Sequence, residues 1–219
     1  MGGKQEMADF DVTVNEILNV LQQRSDGRLT SQPSSSLVSI YGLINSLEKC
    51  TVTLTVYQGF LSSVRSTFVA AESTKRGLIL RAIRLCLQNA AFIKVLMVEE
   101  FHWLIVESLE KDSEYTMERI QALKLMDKVR KVDPDNFPVA FGRSIISIAN
   151  SKEDSFRKIC VESLRELALA NPALVASLYG FCTLVDAVLD PITQELADNI
   201  TLTILYLLND PNTRYDIYI

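Results

Sequence analysis

The sequence predicts an all-α fold, an armadillo/HEAT-like helical-repeat solenoid, and three observations carry that expectation. Gly and Pro are scarce, at 8 and 6 of 219 residues, which leaves too few sharp turns for a sandwich of short strands. Apolar residues recur at helical spacing from about Leu37 to the end. The helix-like runs also stop at evenly placed Asx-Pro pairs. These are Asp133-Pro134, Asn171-Pro172 and Asp210-Pro211, with prolines 38 and 39 residues apart.

Composition narrows the class further. Apolar residues make up 48% and charged residues 22%, so the chain is globular and long enough to bury a sizeable core. A net charge of −5 argues against nucleic-acid binding, which needs a concentrated basic surface. No uninterrupted apolar run approaches the roughly 18 residues of a membrane span. The opening MGGKQEMADF lacks the apolar core of a secretion signal, and Glu6 stands where a myristoylation pattern wants Ser or Thr. Cys50, Cys86, Cys160 and Cys182 never form a C-x-x-C pair, which speaks against a metal site and for single buried thiols in a reducing compartment.

Residues 1–36 are expected to be a tail, a short helix and a linker. Val14, Ile17, Leu18 and Leu21 fall on one helical face within Val12 to Arg24. SDGRLTSQPSSS, Ser25 to Ser36, has the Ser, Gly and Pro content of a linker. Residues 37–219 are expected to be armadillo-like repeats. TVTLTV, Thr51 to Val56, imitates a strand by its β-branched alternation, but it is short and lacks a partner, so a loop or helix start is expected there.

The repeat is tested by counting back from each proline. Eleven residues before lie Leu123, Val161 and Ile200; eight before, Met126, Leu164 and Thr203; five before, Val129, Leu167 and Tyr206. Steps of three mark one helix face, and all but Thr203 are apolar or aromatic. An upstream unit places Ile79, Ala82 and Leu85 in the same positions relative to Ala90, after a longer spacing of 44 residues.

Proline lacks an amide hydrogen and drives its predecessor out of the α region, and Asx suits the turn. Each Asx-Pro should therefore end one helix and start the next, giving returning helices over Pro172 to Leu189 and Val139 to Asn150. Helix pairs repeating every 40 residues or so belong to armadillo and HEAT arrays, whose units bury their apolar faces only by stacking. Leu196 to Leu208 is apolar nearly all round and lacks a returning partner, so the last repeat is expected to be incomplete and the chain a fragment. Leaving three or four such side chains wet would forgo on the order of 5–10 kcal/mol.

No catalytic, cofactor-binding or metal-binding residue is expected, and no cofactor. The single histidine, His102, sits in EEFHWLIVESL between Phe101 and Trp103, where a packed structural role suits it better than that of a base. Phosphate-cradling and nucleophile-elbow motifs are missing from the sequence. Asn199-Ile200-Thr201 matches a glycosylation sequon only by accident on a buried helix. Glu99-Glu100 and Glu110 to Glu114 suit solvated surface. Arg81, Arg84, Arg119, Lys124, Lys128, Arg130, Lys131, Arg157 and Lys158 could form a ladder for an acidic peptide or phosphate, with Arg119 and Arg157 both fifteen residues before their prolines. A solvated helix stripe neutralised by Glu118, Glu162 and Glu166 is the better expectation.

Several stretches in fixed order carry a resemblance. RGLILRAIRLCLQ, FHWLIVESLEKD, MERIQALKLMDKVRKVDPDNFP, SIISIANSKED, ELALANPALV and TLTILYLLNDPNTR, spread over Leu54 to Arg214, resemble the N-terminal armadillo-like region of the Rictor/pianissimo family. The likeness over the first fifty residues is confined to EILNVLQQ. The resemblance implies a non-catalytic scaffold or regulatory subunit of TOR complex 2. Such a subunit helps assemble the TOR kinase with a SIN-type subunit and a WD-repeat subunit, and supports signalling to AGC kinases. It also implies a cytoplasmic location, extending to peripheral membrane attachment through the complex. The alternative is a generic armadillo adaptor that binds extended peptides or small GTPases. Transport-signal armadillos carry repeated Trp and Asn pairs, and the single Trp103 counts against that version.

Overall fold

The computed structural model describes residues 52–209 without a break, together with Glu16, Gly42, Ile44, Leu47, Pro211, Thr213 and Arg214. The helix expected over Val12 to Arg24 and the linker over Ser25 to Ser36 lie outside the described residues, Glu16 apart. Ten α-helices follow one another between Leu54 and Asn209, and the described residues contain no strand. We number them α1 Leu54–Ala70, α2 Ser73–Cys86, α3 Ala90–Val98, α4 Phe101–Leu109, α5 Thr116–Val132, α6 Val139–Asn150, α7 Arg157–Ala170, α8 Pro172–Ser177, α9 Gly180–Val188 and α10 Ala197–Asn209. Short 3-10 turns at Ser113–Tyr115 and Pro191–Leu196 precede α5 and α10. The fold is all-α and of the armadillo/HEAT helical-repeat class, as the proline spacing predicts.

The chain divides into two compact units, Met1–Lys128 and Val129–Ile219. In the first, α1 packs against α2 and α3, and α3 against α4. Tyr57, Phe60, Leu61, Val64 and Phe68 form the buried stripe of α1. Tyr57 meets Phe92 of α3 at 4.9 Å between ring centroids, and Phe68 meets Phe101 of α4 edge-on at 5.6 Å. The strand-like TVTLTV is a helix start: Thr53 is the N-cap of α1, its hydroxyl accepting the Val56 N–H. In the second unit α6 pairs with α7, and α9 lies against α6, α7 and α10.

Burial follows the predicted register. Of the nine positions counted back from the prolines, all are buried except Tyr206, which is 64% exposed. Thr203, the one polar member, is buried and returns its hydroxyl to the Asn199 carbonyl at 2.9 Å. The upstream unit is offset by one residue from the expected register. Leu80, Ile83 and Cys86 are wholly buried while Leu85 is half-buried, so the anchor is residue 91 and not Ala90. Leu78, Ile79 and Leu80 are all buried, so α2 is covered over a wide arc, and a count of apolar residues cannot fix its phase.

The Asx-Pro corners differ from one another. At Asn171 the expectation holds: the residue closes α7 and caps α8, its Oδ1 accepting the Leu174 N–H at 3.0 Å. Its Nδ2 donates to the Pro134 carbonyl at 2.9 Å, which ties one corner to the one before. At Asp133 the helix stops, but the next begins only at Val139, after Pro138. Asp133 instead holds the loop by accepting from Asn136 N–H and Nδ2. Asn171→Ala removes both bonds and should cost about 1–2 kcal/mol. Asn171→Asp, which keeps the cap and loses the donor, should cost clearly less in urea unfolding.

The single helix expected over Pro172 to Leu189 is broken. Tyr179 adopts the left-handed conformation, φ 58°, and separates α8 from α9. Glu100, φ 56°, does the same between α3 and α4. These two repeats therefore carry three helices, as armadillo units do, whereas the unbroken α6 makes a two-helix, HEAT-like unit with α7. Periodicity does not register such a break, because α8 and α9 each keep helical spacing on either side of one residue.

Candidate functional site

The residues with catalytic potential are used structurally. His102 is buried at the start of α4, with its ring 4.8 Å from that of Trp103. Burial lowers its pKa, partly opposed by the Glu100 carboxylate. A base whose folded pKa is depressed holds fewer protons folded than unfolded, so its stabilisation is complete above the unfolded value near 6.5 and is lost as pH falls below it. This is the sole histidine. Stability should therefore decline as pH falls below about 6.5, and His102→Gln should flatten that decline in denaturant titrations. Cys86 and Cys160 are buried thiols as expected, but Cys182 is exposed on α9, because it lies on the outer side of the helix. Cys50 lies outside the described residues. Among the described residues no cluster of His, Cys, Asp and Glu could hold a metal ion, and no helix is long and apolar enough to cross a membrane.

The basic residues divide into two kinds. Lys124 and Lys131 are exposed on α5, as a solvated stripe requires. Arg119 and Arg157 are buried, 1% and 4% exposed, which contradicts both the peptide ladder and the solvated stripe for these two. Arg119 Nε donates to the Leu109 carbonyl at 2.9 Å, and Arg157 Nε to the Ala149 carbonyl at 3.0 Å. Each acceptor lies at the end of the preceding helix, where the last carbonyls have no intrahelical donor. In the corrected upstream register the residue fifteen before the anchor is Arg76, and its Nη1 donates to the Ala71 carbonyl at 2.8 Å. An arginine at this place thus closes the corner behind it in three successive repeats, while the matching place before Pro211 holds Leu196.

Glu110, Asp112 and Glu114 are exposed as expected, and the three acidic residues expected to neutralise the basic stripe are each paired. Glu118 is fully buried and accepts Arg76 Nε at 2.8 Å. Glu166 pairs with Arg130, and Glu162 with Arg165. Glu99 accepts Gln58 Nε2 at 2.9 Å and Ser62 Oγ at 3.1 Å. Arg65 reaches the Glu99 carbonyl and the Glu100 carboxylate. One face of α1 therefore grips the left-handed turn between α3 and α4, a conformation that costs a non-glycine residue roughly 1–2 kcal/mol.

Large apolar side chains are also exposed. Along α9, Cys182, Val185 and Leu189 share an exposed stripe, flanked by Tyr179 and Ile192; Leu189 is 82% exposed. On α10 the exposed large apolar side chains are Leu202, Leu205 and Tyr206. The α9 stripe was hidden in the sequence, since its threefold spacing is that of any core-facing helix. In the first unit Val98 and Trp103 are exposed. The fold is thus a set of stapled helical repeats with apolar stripes and no assembled reaction centre among the described residues.

Residues 35–217 match the family model described as the N-terminal region of the rapamycin-insensitive companion of mTOR. The chain belongs to the Rictor family. It is 37% identical to Protein pianissimo A of Dictyostelium discoideum over 152 residues, which is 69% of this chain and 13% of that protein. It is 29% identical to the human rapamycin-insensitive companion of mTOR over 161 residues, 72% of this chain and 9% of that protein. It is 30% identical over 161 residues to the Target of rapamycin complex 2 subunit TSC11 of Saccharomyces cerevisiae, covering 73% of this chain and 11% of that protein. The chain therefore spans about a tenth of the length of these relatives. The Rictor-family match takes in every Asx-Pro corner and every corner arginine described above.

Proposed function

We propose that this chain is a non-catalytic scaffold segment of a TOR complex 2 subunit. It would help assemble the TOR kinase with a SIN-type and a WD-repeat subunit in the cytoplasm, and so support phosphorylation of AGC kinases. The observation that carries this reading is the family match over residues 35–217, joined to a yeast relative that is itself described as a TOR complex 2 subunit. The physical character of the chain supports it. Its buried arginines tie corners and repeats together, and its surface offers apolar stripes of the kind that partners cover. The match begins at residue 35, which supports an organisation of residues 1–36 as tail, short helix and linker ahead of repeats over 37–219.

The test is replacement of the native protein by one lacking Leu54 to Ile219, in cells where the amount of TOR kinase is unchanged. AGC-kinase phosphorylation should fall to the level seen without the protein. Phosphorylation at the wild-type level would contradict the proposal.

A further inference from the structure

We infer that the corner arginines Arg76 and Arg157 are two-armed couplers, through which seating of one repeat fixes the corner of the repeat before it. Arg157 sits in the first turn of α7. Its Nε holds the Ala149 carbonyl at the end of α6, and its Nη1 binds Oδ2 of Asp190. Asp190 belongs to the next repeat, 33 residues on, between α9 and α10. It is held for this role: its Oδ1 accepts the Ile192 N–H at 2.8 Å, and the fully buried Thr193 hydroxyl donates to the Ala187 carbonyl at 2.6 Å. In the first unit Arg76 repeats the arrangement with its donors exchanged. Nη1 takes the Ala71 carbonyl at 2.8 Å, and Nε takes Glu118, 42 residues on, at 2.8 Å.

A guanidinium is planar and rigid, so its two arms cannot be oriented independently. The charged arm is the stronger one. The acid of the following repeat therefore sets the plane in which the arginine meets the carbonyl behind it. Loss of that acid should loosen the α6–α7 corner locally, and leave α1 to α4 as they were. A surface pair between the same two segments, Lys158 with Glu195, has its charges 42% and 80% exposed and lacks the carbonyl arm, so it should not act this way.

The experiment is hydrogen exchange of the full chain, read on peptides covering Ser151 to Val161. Asp190→Asn keeps an acceptor for the Ile192 N–H and removes the charge; Arg157→Lys keeps the charge and removes the fork. Both variants should exchange at least fivefold faster than wild type at this corner, with α1 to α4 within twofold of wild type. Lys158→Met should stay within twofold throughout. An acceleration under fivefold at the corner, or an equal one spread over α1 to α4, would overturn the coupling and leave the arginines as separate local contacts.

Discussion

Arg157→Ala should lower stability by about 3 kcal/mol, which in a chain of this length moves the midpoint of thermal unfolding down by roughly 6–12 °C. Three losses add in one direction. The Ala149 carbonyl is left without its donor in a buried setting, a cost of about 1–3 kcal/mol. Asp190, held below the usual carboxylate range first by its bond from Arg157 and then by the Ile192 N–H, loses its counter-ion. The arginine stem itself is packed, since the residue is only 4% exposed. Arg165→Ala is the proper comparison, because its pair with Glu162 lies on one helix and is partly solvated. That variant should cost under about 1 kcal/mol. The two are ranked by denaturant unfolding at neutral pH, and equal losses would refute the structural role assigned to the buried arginine.

Gly180→Val is the second large effect. Gly180 opens α9 directly after the left-handed Tyr179, where α9 meets α6, α7 and α8. A Cβ there would stand 2.7 Å from Val175 Cγ1, 3.1 Å from Ile146 Cδ1 and 3.2 Å from Leu164 Cδ1. Val175 and Leu164 are wholly buried, so neither can swing into solvent. Overpacking of this kind costs about 1–3 kcal/mol, and the branched side chain should fall at the upper end. Val175→Ala removes the nearest obstacle. It destabilises wild type by leaving a cavity, yet it should recover part of the loss in the Gly180→Ala background. Strict additivity of the two substitutions would show that the close approach is relieved by backbone movement.

Much of this fold was legible in the residues because its period is written in prolines and in threefold apolar steps. Val139 to Asn150 appears as read, and the Asn171 corner behaves as the chemistry of Asx-Pro demands. Three features were not legible. Glu100 breaks a helix without a glycine or proline to announce it, and at Tyr179 the left-handed residue is the tyrosine and not the Gly180 that follows; at Glu100 the turn is held by Gln58, Ser62 and Arg65, which lie over thirty residues away. The phase of α2 was lost because burial on several sides leaves no polar edge to count from. The roles of Arg119 and Arg157 were misread for a related reason. Their matching offsets marked them as repeated, but a sequence records only the charge. It does not record the carbonyl at a helix end that turns a surface residue into a buried one. The exposed apolar surface shows the same limit, since the exposed stripe of α9 and the buried stripe of α7 both follow helical spacing.

The scaffold reading rests on the family match over residues 35–217, with apolar stripes exposed on the repeats. The measurement that tests it most directly is affinity purification of the tagged full-length protein from its own cells, with mass spectrometry of what is recovered, in wild type and with Leu54 to Ile219 deleted. The account predicts that the TOR kinase and a SIN-type subunit accompany the wild-type protein and are lost with the deletion. A wild-type preparation free of TOR kinase, or a deletion that recovers it in full, would contradict the account.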